Sequence, residues 1–581
     1  MHEFTVWAPR VKKVSVMVVD SLHAMEGPDR RGWWKAAVED AGAGTDYGFR
    51  LNDDETIYPD PRSQWQPNGV HGMSRVYDQK AFEWHDGRWQ APPLASGIVY
   101  ELHIGTFTPH GTFDSAIERL DYLFDLGVTH IEMMPVAAYP GDRGWGYDGV
   151  SLFAVTENYG GPDGLKRFVD ACHVRGLAVV LDVVYNHFGP VGAYAGKFGP
   201  YLTGHHCTPW GDAVNFESQG SDEVRRFFCD NALMWMRDFH IDGLRLDAVH
   251  EFVDRSAVHF LEQLAAEVDV LAATLGGRKV LIAESDLNDP KIVRPREAGG
   301  YGIDAQWSDD FHHSLFTLMH VEEGVGYYND FGSLEKLVKS LTHVFVYDGE
   351  YSQYRRRRHG RPVDGLSAHH FLSFIQNHDQ VGNRATGDRF EQIVGMDCAK
   401  VAAGILLTSP FVPLIFEGEE YAASTPFLYF ADHEDEAMAK AVSEGRKKEF
   451  AEFGFDKQEV PDPECRETFE RSRLNWQELD EGRHKEMLDW YRALIRLRRS
   501  SIALNDGDRG HCTVRFSEEK RWMTMDRGAV QILVNLGHEL ASFDVPDDFR
   551  IALASRPEID DQSGKVLLPP NTLAILSSKA I

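Results

Sequence analysis

Cysteine is what this sequence has least to work with. The six in 581 residues, at positions 172, 207, 229, 398, 465 and 512, form no Cys-x-x-Cys pair and are too sparse for a disulfide framework, so they read as free thiols. Long apolar runs are also missing. Nothing approaches the roughly 18 unbroken apolar residues of a membrane span. Met1-His2-Glu3-Phe4 has no basic segment leading into an apolar run. The expectation is a soluble cytoplasmic protein with no membrane partner. Positive charge is in deficit: 60 Lys and Arg against 90 Asp and Glu leave a net charge of −30. Such a surface repels phosphate backbones and argues against a nucleic-acid partner. Repeats of 20 to 50 residues and low-complexity tracts are absent, so a solenoid is excluded.

What is present is globular, with 43% hydrophobic and 26% charged residues, and too long for one core. Residues 1–92 predict an Ig-like β-sandwich of the carbohydrate-binding-module kind, because Phe4-Thr5-Val6-Trp7 and Val14 to Val19 have strand composition and no helical period persists. Pro92-Pro93 supplies a linker. From Gly97 the rhythm changes to short apolar runs separated by amphipathic helices. Eight such runs are predicted as strands: Val99 to Phe107, Thr129 to Val136, Ala178 to Tyr185, Gly243 to Val249, Val280 to Ser285, Ile303 to Trp307, Phe371 to Gln376 and Val412 to Phe416. Parallel strands need crossover helices, so residues 93–500 predict an α/β fold, a (β/α)8 TIM barrel. The aperiodic stretch at about 188–221, rich in Gly, Pro, His and Tyr, reads as an inserted, substrate-shaping segment. Strand-like runs return after 500 and predict a C-terminal all-β domain over 501–581. The four arginines Arg355 to Arg358 read as a solvated loop.

In a barrel of this kind the chemistry belongs at the C-terminal strand ends. Arg245 and Asp247 alternate with Leu244, Leu246 and Ala248 and so share one face of the fourth strand. Taken alone they make a salt bridge as readily as a catalytic pair. Glu284 ends the fifth strand and Asp379 follows the seventh, so three acids from three strand ends converge on one mouth. Glycosidic hydrolysis asks for such a set: an acid to protonate the leaving oxygen, a carboxylate to attack the sugar, and further negative charge to steady the transition state.

Asp182 to His187, Gly243 to Asp247, the strand of Glu284, and Asn377-His378-Asp379 resemble the four signature regions of the α-amylase family (glycoside hydrolase family 13), in order and across the whole barrel. The resemblance implies that Asp247 is the nucleophile, Glu284 the general acid/base and Asp379 the transition-state stabiliser. It implies that Arg245 keeps Asp247 ionised, that His187 and His378 bind hydroxyls of the attacked sugar, and that Tyr147 stacks on that sugar with Asp148 and His250 beside it. Trp145 reads as an aromatic packed under its loop. The family's common calcium site would use Asn186, but the insertion has no compact set of acidic ligands, and a hard cation needs about six oxygens. No metal and no cofactor are expected.

A β domain ahead of the barrel resembles the branching enzymes, isoamylases and trehalose-forming hydrolases of that family. The stretches 300–313 and 427–450, with Tyr58-Pro59-Asp60-Pro61 and Asn68-Gly69-Val70-His71-Gly72, resemble the trehalose-forming members. The substrate so implied is a malto-oligosaccharide ending in trehalose, split into trehalose and a malto-oligosaccharide. Trp307, Asp310 and His312 lie where the leaving-group pocket belongs, although ordinary barrel-rim structure explains them equally well. The alternatives are a 1,4-α-glucan branching enzyme, with the same acids and a sugar acceptor, and a catalytically silent glycan-binding protein.

Overall fold

The computed structural model describes residues 1–320, 326–452, 460–562 and 564–578; parts of the expected barrel (321–325 and 453–459) and of the expected C-terminal domain (563 and 579–581) lie outside them. Eight parallel strands close into a barrel. In chain order they are β1 (Val99–Leu102), β2 (His130–Met133), β3 (Ala178–Val183), β4 (Gly243–Leu246), β5 (Val280–Ala283), β6 (Ala305–Trp307), β7 (Phe371–Phe374) and β8 (Val412–Phe416). Each lies inside one of the apolar runs predicted from the sequence. β8 closes on β1 through Leu414 opposite Val99 and Phe416 opposite Glu101. Strand alternation then sorts the side chains: Val99, Val180, Ile282, Trp307, Leu372 and Leu414 fill one apolar cluster, which closes the barrel as a packed core rather than a pore.

The N-terminal domain is a sandwich. His2–Trp7 pairs with Trp33–Val38 in a two-stranded sheet, and a five-stranded antiparallel sheet is built around Val14–Val18 and Asp46–Leu51. Phe4 meets Tyr47 between the two sheets, with ring centroids 4.8 Å apart. At the other end, a five-stranded and a three-stranded antiparallel sheet form the C-terminal domain. A buried arginine on each side of the junction works here: Arg527 of the C-terminal sheet donates to Thr408 O of the barrel, and Arg498, on the barrel's last helix Gly482–Ser500, donates to the neighbouring carbonyls of Leu407, Ser409 and Phe411. A guanidinium suits this work because its fork can satisfy several helix-end carbonyls at once.

The insertion holds a short helix, Ala195–Phe198, and a hairpin of Leu202–Thr208 with Gly211–Val214. Its helix is wedged against the N-terminal domain: Phe198 packs edge-on to Phe49 (6.0 Å), and Tyr194 lies 5.5 Å from Tyr58. His71 also hydrogen-bonds the Tyr194 hydroxyl at 2.7 Å. The N-terminal domain therefore props the segment that overhangs the barrel mouth.

Beyond β8 lies a second concentration of acids. Arg389, with no exposed surface, donates to the carbonyls of Thr425 (2.7 Å) and Glu417 (2.6 Å). Glu417, Glu419, Glu420 and Glu391 are buried around it. Three of them have neutral donors: Thr106 and a backbone amide for Glu417, Tyr491 for Glu419, and Tyr100 and Tyr122 for Glu420.

Candidate active site

The backbone ladder of the barrel runs on past the formal strand ends, and this carries the acids to the mouth. Asp247 N donates to Val183 O at 3.1 Å, and Glu284 N donates to Leu246 O at 3.0 Å. Ala248 then turns left-handed (φ 40°), which interrupts the regular ladder directly after Asp247, although Val249 N still reaches Glu284 O at 3.0 Å. After β7, Asn377 caps the helix His378–Gly382, its side chain accepting from the amides of Asp379 and Gln380. That cap fixes Asp379 in the first turn, at the rim.

Arg245 is the hub. It lies opposite Asp182 in the ladder, its side chain has no exposed surface, and its guanidinium sits 4.2 Å over the Trp307 ring. One terminal nitrogen donates to Asp182 Oδ2 (2.8 Å) and Asp247 Oδ1 (2.9 Å), while the other lies 3.0 Å from Glu284 Oε2. Glu284 Oε2 also accepts from Ala248 N at 2.8 Å. One arginine thus touches both proposed reacting acids. The second Asp247 oxygen accepts from Asn186 Nδ2 at 2.7 Å. Among the described residues no group of three or more His, Cys, Asp or Glu is arranged to hold a metal.

Tyr147 and His378 form the opposite wall. The Tyr147 hydroxyl donates to Asp182 Oδ2 (2.7 Å), bonds His378 Nε2 (2.8 Å), and its ring stacks on the imidazole at 5.3 Å. Burial alone lowers the His378 pKa, but the Glu101 carboxylate on its Nδ1 outweighs burial, with help from Asp379, and pushes it up to about 9. His378 is therefore a cation at neutral pH. Burial raises Asp182 to about 7, with Arg245 opposing and Asp247 adding to the rise. Below them, Glu132 faces Glu101 across the ladder, fully buried, with neither oxygen hydrogen-bonded. Burial, reinforced by Glu101, raises it well above the carboxylate range.

His187 follows β3 at the mouth, its Nε2 3.1 Å from Tyr147 O, and burial keeps its pKa low. Its neighbour has no sequence signal. Trp210, at the tip of the inserted hairpin and 50% exposed, stacks on the His187 ring at 4.9 Å and 11°. Asp148 faces His433 at 3.8 Å; burial raises its pKa and His433 partly offsets that. His250 accepts from the Asp286 amide at 3.4 Å. Trp145 is packed as expected, 6% exposed, with its indole N–H on Leu428 O.

The leaving-group trio needs revision. Trp307 is 2% exposed and forms the platform under Arg245 instead of a rim contact. Asp310 turns into the packing, where it accepts from Asn288 Nδ2 (2.9 Å) and the amides of Val346 (2.6 Å) and Tyr347 (3.1 Å). His312 is buried between Ile375 O and the Tyr328 hydroxyl. Asp309, one residue earlier, is only half-buried and opens the helix that follows β6. Burial first, then the charges of Glu284, Asp310, Asp379 and Asp286, raise it well above the carboxylate range. Arg355 does not run free in solvent as its arginine-rich loop suggested. It forks onto Asp286, two residues past Glu284, and fastens the hairpin Asp348–Ser352/Arg357–Gly360 beside the mouth.

Comparison with known proteins agrees with this geometry. Residues 57–198 match the family model of the α-amylase catalytic domain, and residues 507–575 match a domain of unknown function, DUF3459. A malto-oligosyltrehalose trehalohydrolase from Rhizobium sp. (strain M-11) is 46% identical over 580 residues, 99% of this chain and 97% of its own. One from Mycobacterium tuberculosis (strain H37Rv) is 46% identical over 581 residues, 99% of each chain. Among solved structures, a Salmonella typhimurium protein described as an alpha amylase superposes with a TM-score of 0.90 at 37% identity, covering 99% of this chain and 97% of that one.

Proposed function

The chain belongs to the malto-oligosyltrehalose trehalohydrolases of the α-amylase family, and from that membership we propose that it is a retaining glycoside hydrolase, cutting the α-1,4 bond beside a terminal trehalose unit. Its products are trehalose and a malto-oligosaccharide. The observation that carries the catalytic roles is the single buried guanidinium of Arg245 in contact with Asp247 and Glu284 together.

Asp247 attacks the anomeric carbon. Arg245 and Asn186 between them occupy both its oxygens, which aims the carboxylate and favours its negative form. Glu284 protonates the departing oxygen. Its Oε2 is held by Arg245 and Ala248 N, so Oε1 is the oxygen left to carry the proton. Water then opens the glycosyl-enzyme with Glu284 as base. Asp379, in its capped turn, and the cationic His378 bracket the ring hydroxyls as positive charge develops on the sugar. Tyr147, held by Asp182 and His378, presents its ring to the sugar; His187 and Trp210 extend that wall toward the glycone, and Asp148 and His250 line its edges.

Purified enzyme given maltotriosyltrehalose is expected to release trehalose and maltotriose, with the new reducing end first appearing as the α-anomer by proton NMR. New α-1,6 branches from amylose, with no trehalose, would replace this reading with a branching enzyme.

A further inference from the structure

We propose that Asp309 reads the leaving group: its carboxyl hydrogen-bonds hydroxyls of the departing disaccharide and so determines specificity on the aglycone side. The inference rests on the reaction proposed above and names a residue for it.

The argument begins with which acids at the mouth are already occupied. Asp182 and Asp247 are held by Arg245, Glu284 by Arg245 and Ala248 N, and Asp286 by Arg355. Asp310 takes two backbone amides, and Asp379 accepts from Asn383 at 3.1 Å. Among the described residues Asp309 has neither a hydrogen bond nor an ion pair. It is not sealed off either, since its half-buried carboxyl is absent from the buried polar atoms that lack a partner. A partly exposed carboxyl at the end of a barrel strand that has no protein partner is available to a ligand.

Its position places that ligand. Asp309 opens the helix Asp309–Met319 directly after β6, one residue past the Ser308 amide that bonds Leu372 O at 2.8 Å. β6 pairs with β5, which ends just before Glu284, and with β7, which is followed by Asp379, so Asp309 leaves the barrel between those two acids. The proton donor must stand on the leaving-group side of the bond, so Asp309 stands there too. The glycone side is lined by other groups: Tyr147, His187 and Trp210.

The chemistry fits a sugar. Half-buried among like charges, the carboxyl takes up a proton more readily than an ordinary carboxylate, and in that form it offers one O–H donor together with acceptor oxygens. A sugar hydroxyl is the complementary donor and acceptor. An anionic leaving group finds no positive partner in Asp309, and an apolar one leaves its polar atoms unpaired.

The test compares three substrates: maltotriosyltrehalose, maltopentaose of the same sugar count, and 4-nitrophenyl α-maltotrioside, whose leaving group has no hydroxyls for Asp309 to read. Asp309→Ala is expected to lower kcat/KM on maltotriosyltrehalose about 10- to 100-fold. Its rate on the aryl glycoside should stay within about threefold. Asp309→Asn, which still donates and accepts, should keep most of the wild-type preference for maltotriosyltrehalose over maltopentaose. Equal losses on the trehalosyl and aryl substrates, or no loss on either, overturn the inference. If Asp309→Ala does not fold, Asp309→Ser carries the same comparison. A wild-type enzyme that releases no trehalose fails at the underlying reaction, visibly before any variant is made.

Discussion

Arg245 and Arg389 are both buried without exposed surface, and each is surrounded by carboxyl groups, yet they do opposite things. Arg245 spends its guanidinium on side chains: Asp182, Asp247 and Glu284 share it. Arg389 spends its on backbone carbonyls of Thr425 and Glu417, and the acids around it take hydroxyl and amide donors instead. Burial pushes Glu417 and Glu419 up to about 8 and Glu420 and Glu391 to about 7, so that second set holds protons near neutrality. A buried arginine among acids is therefore not in itself a catalytic sign. What distinguishes the working set is that its acids end at an open mouth and are bound directly by the positive charge.

The sharpest way to break this contrast is to neutralise one acid in each set. Glu284→Gln is expected to lower kcat by roughly 10²- to 10⁴-fold with little change in Tm, while Glu419→Gln leaves kcat within about twofold. Similar turnover losses in the two variants would erase the distinction. Arg389→Met should do the reverse of an active-site change. It strands two carbonyls, costing about 2 kcal/mol or more in urea unfolding, with near-normal kcat in the protein that remains folded.

The proton load can be tested through pH. Glu419 has an ordinary pKa of 4.5 and is raised to about 8 in the fold. The folded state thus binds the extra proton, so this stability is complete below about pH 4.5, falls as pH rises from there to about 8, and is gone above. Glu419→Gln should flatten that fall in Tm between pH 5 and 8; an unchanged slope would show that Glu419 is ionised throughout. At the working set, Glu101→Gln removes the carboxylate that raises His378. Its kcat/KM should fall about tenfold at pH 8 and recover progressively as pH is lowered below the ordinary imidazole range, because burial, no longer opposed by Glu101, makes the imidazole take up its proton only there. The smallest effect belongs to Trp210→Ala: KM rising about 2- to 10-fold, as loss of a stacking face implies, with kcat unchanged.

Much of the barrel was legible in the sequence because strand and helix periods differ, and eight short apolar runs between amphipathic helices have few other solutions. Arg245 and Asp247 were legible as a pair because alternate residues of a strand share a face. The same periodicity explains what was lost at the sixth strand end. There the chain turns into a helix, consecutive side chains diverge by about 100°, and sequence alone cannot tell whether Asp309 or Asp310 looks into the cleft. Trp210 lay in a stretch with no period to read. Arg355 looked like one of four solvated charges, since its partner Asp286 is 69 residues away. The Arg389 set has no motif at all: its acids are ordinary glutamates until packing brings them together.

Glu101, Tyr147, Asp182, Asp247, Glu284 and Asp379 come from six different strand ends or the loops behind them, yet three of these carboxylates meet on one guanidinium. For inheritance this means the site cannot be exchanged in pieces. A recombination junction anywhere between residues 101 and 379 separates partners that must arrive from one parent, or from two parents whose barrels agree in register. The sandwich in front and the sheets behind contribute none of these carboxylates, and they meet the barrel and its insertion through contacts such as those of Phe49, Tyr58, Arg62, Trp65, Arg521 and Arg527. A chimera that swaps the C-terminal domain and keeps the seat of Arg527 should retain turnover, whereas one joined between β4 and β5 must rebuild the Arg245 contacts before it can cut any bond.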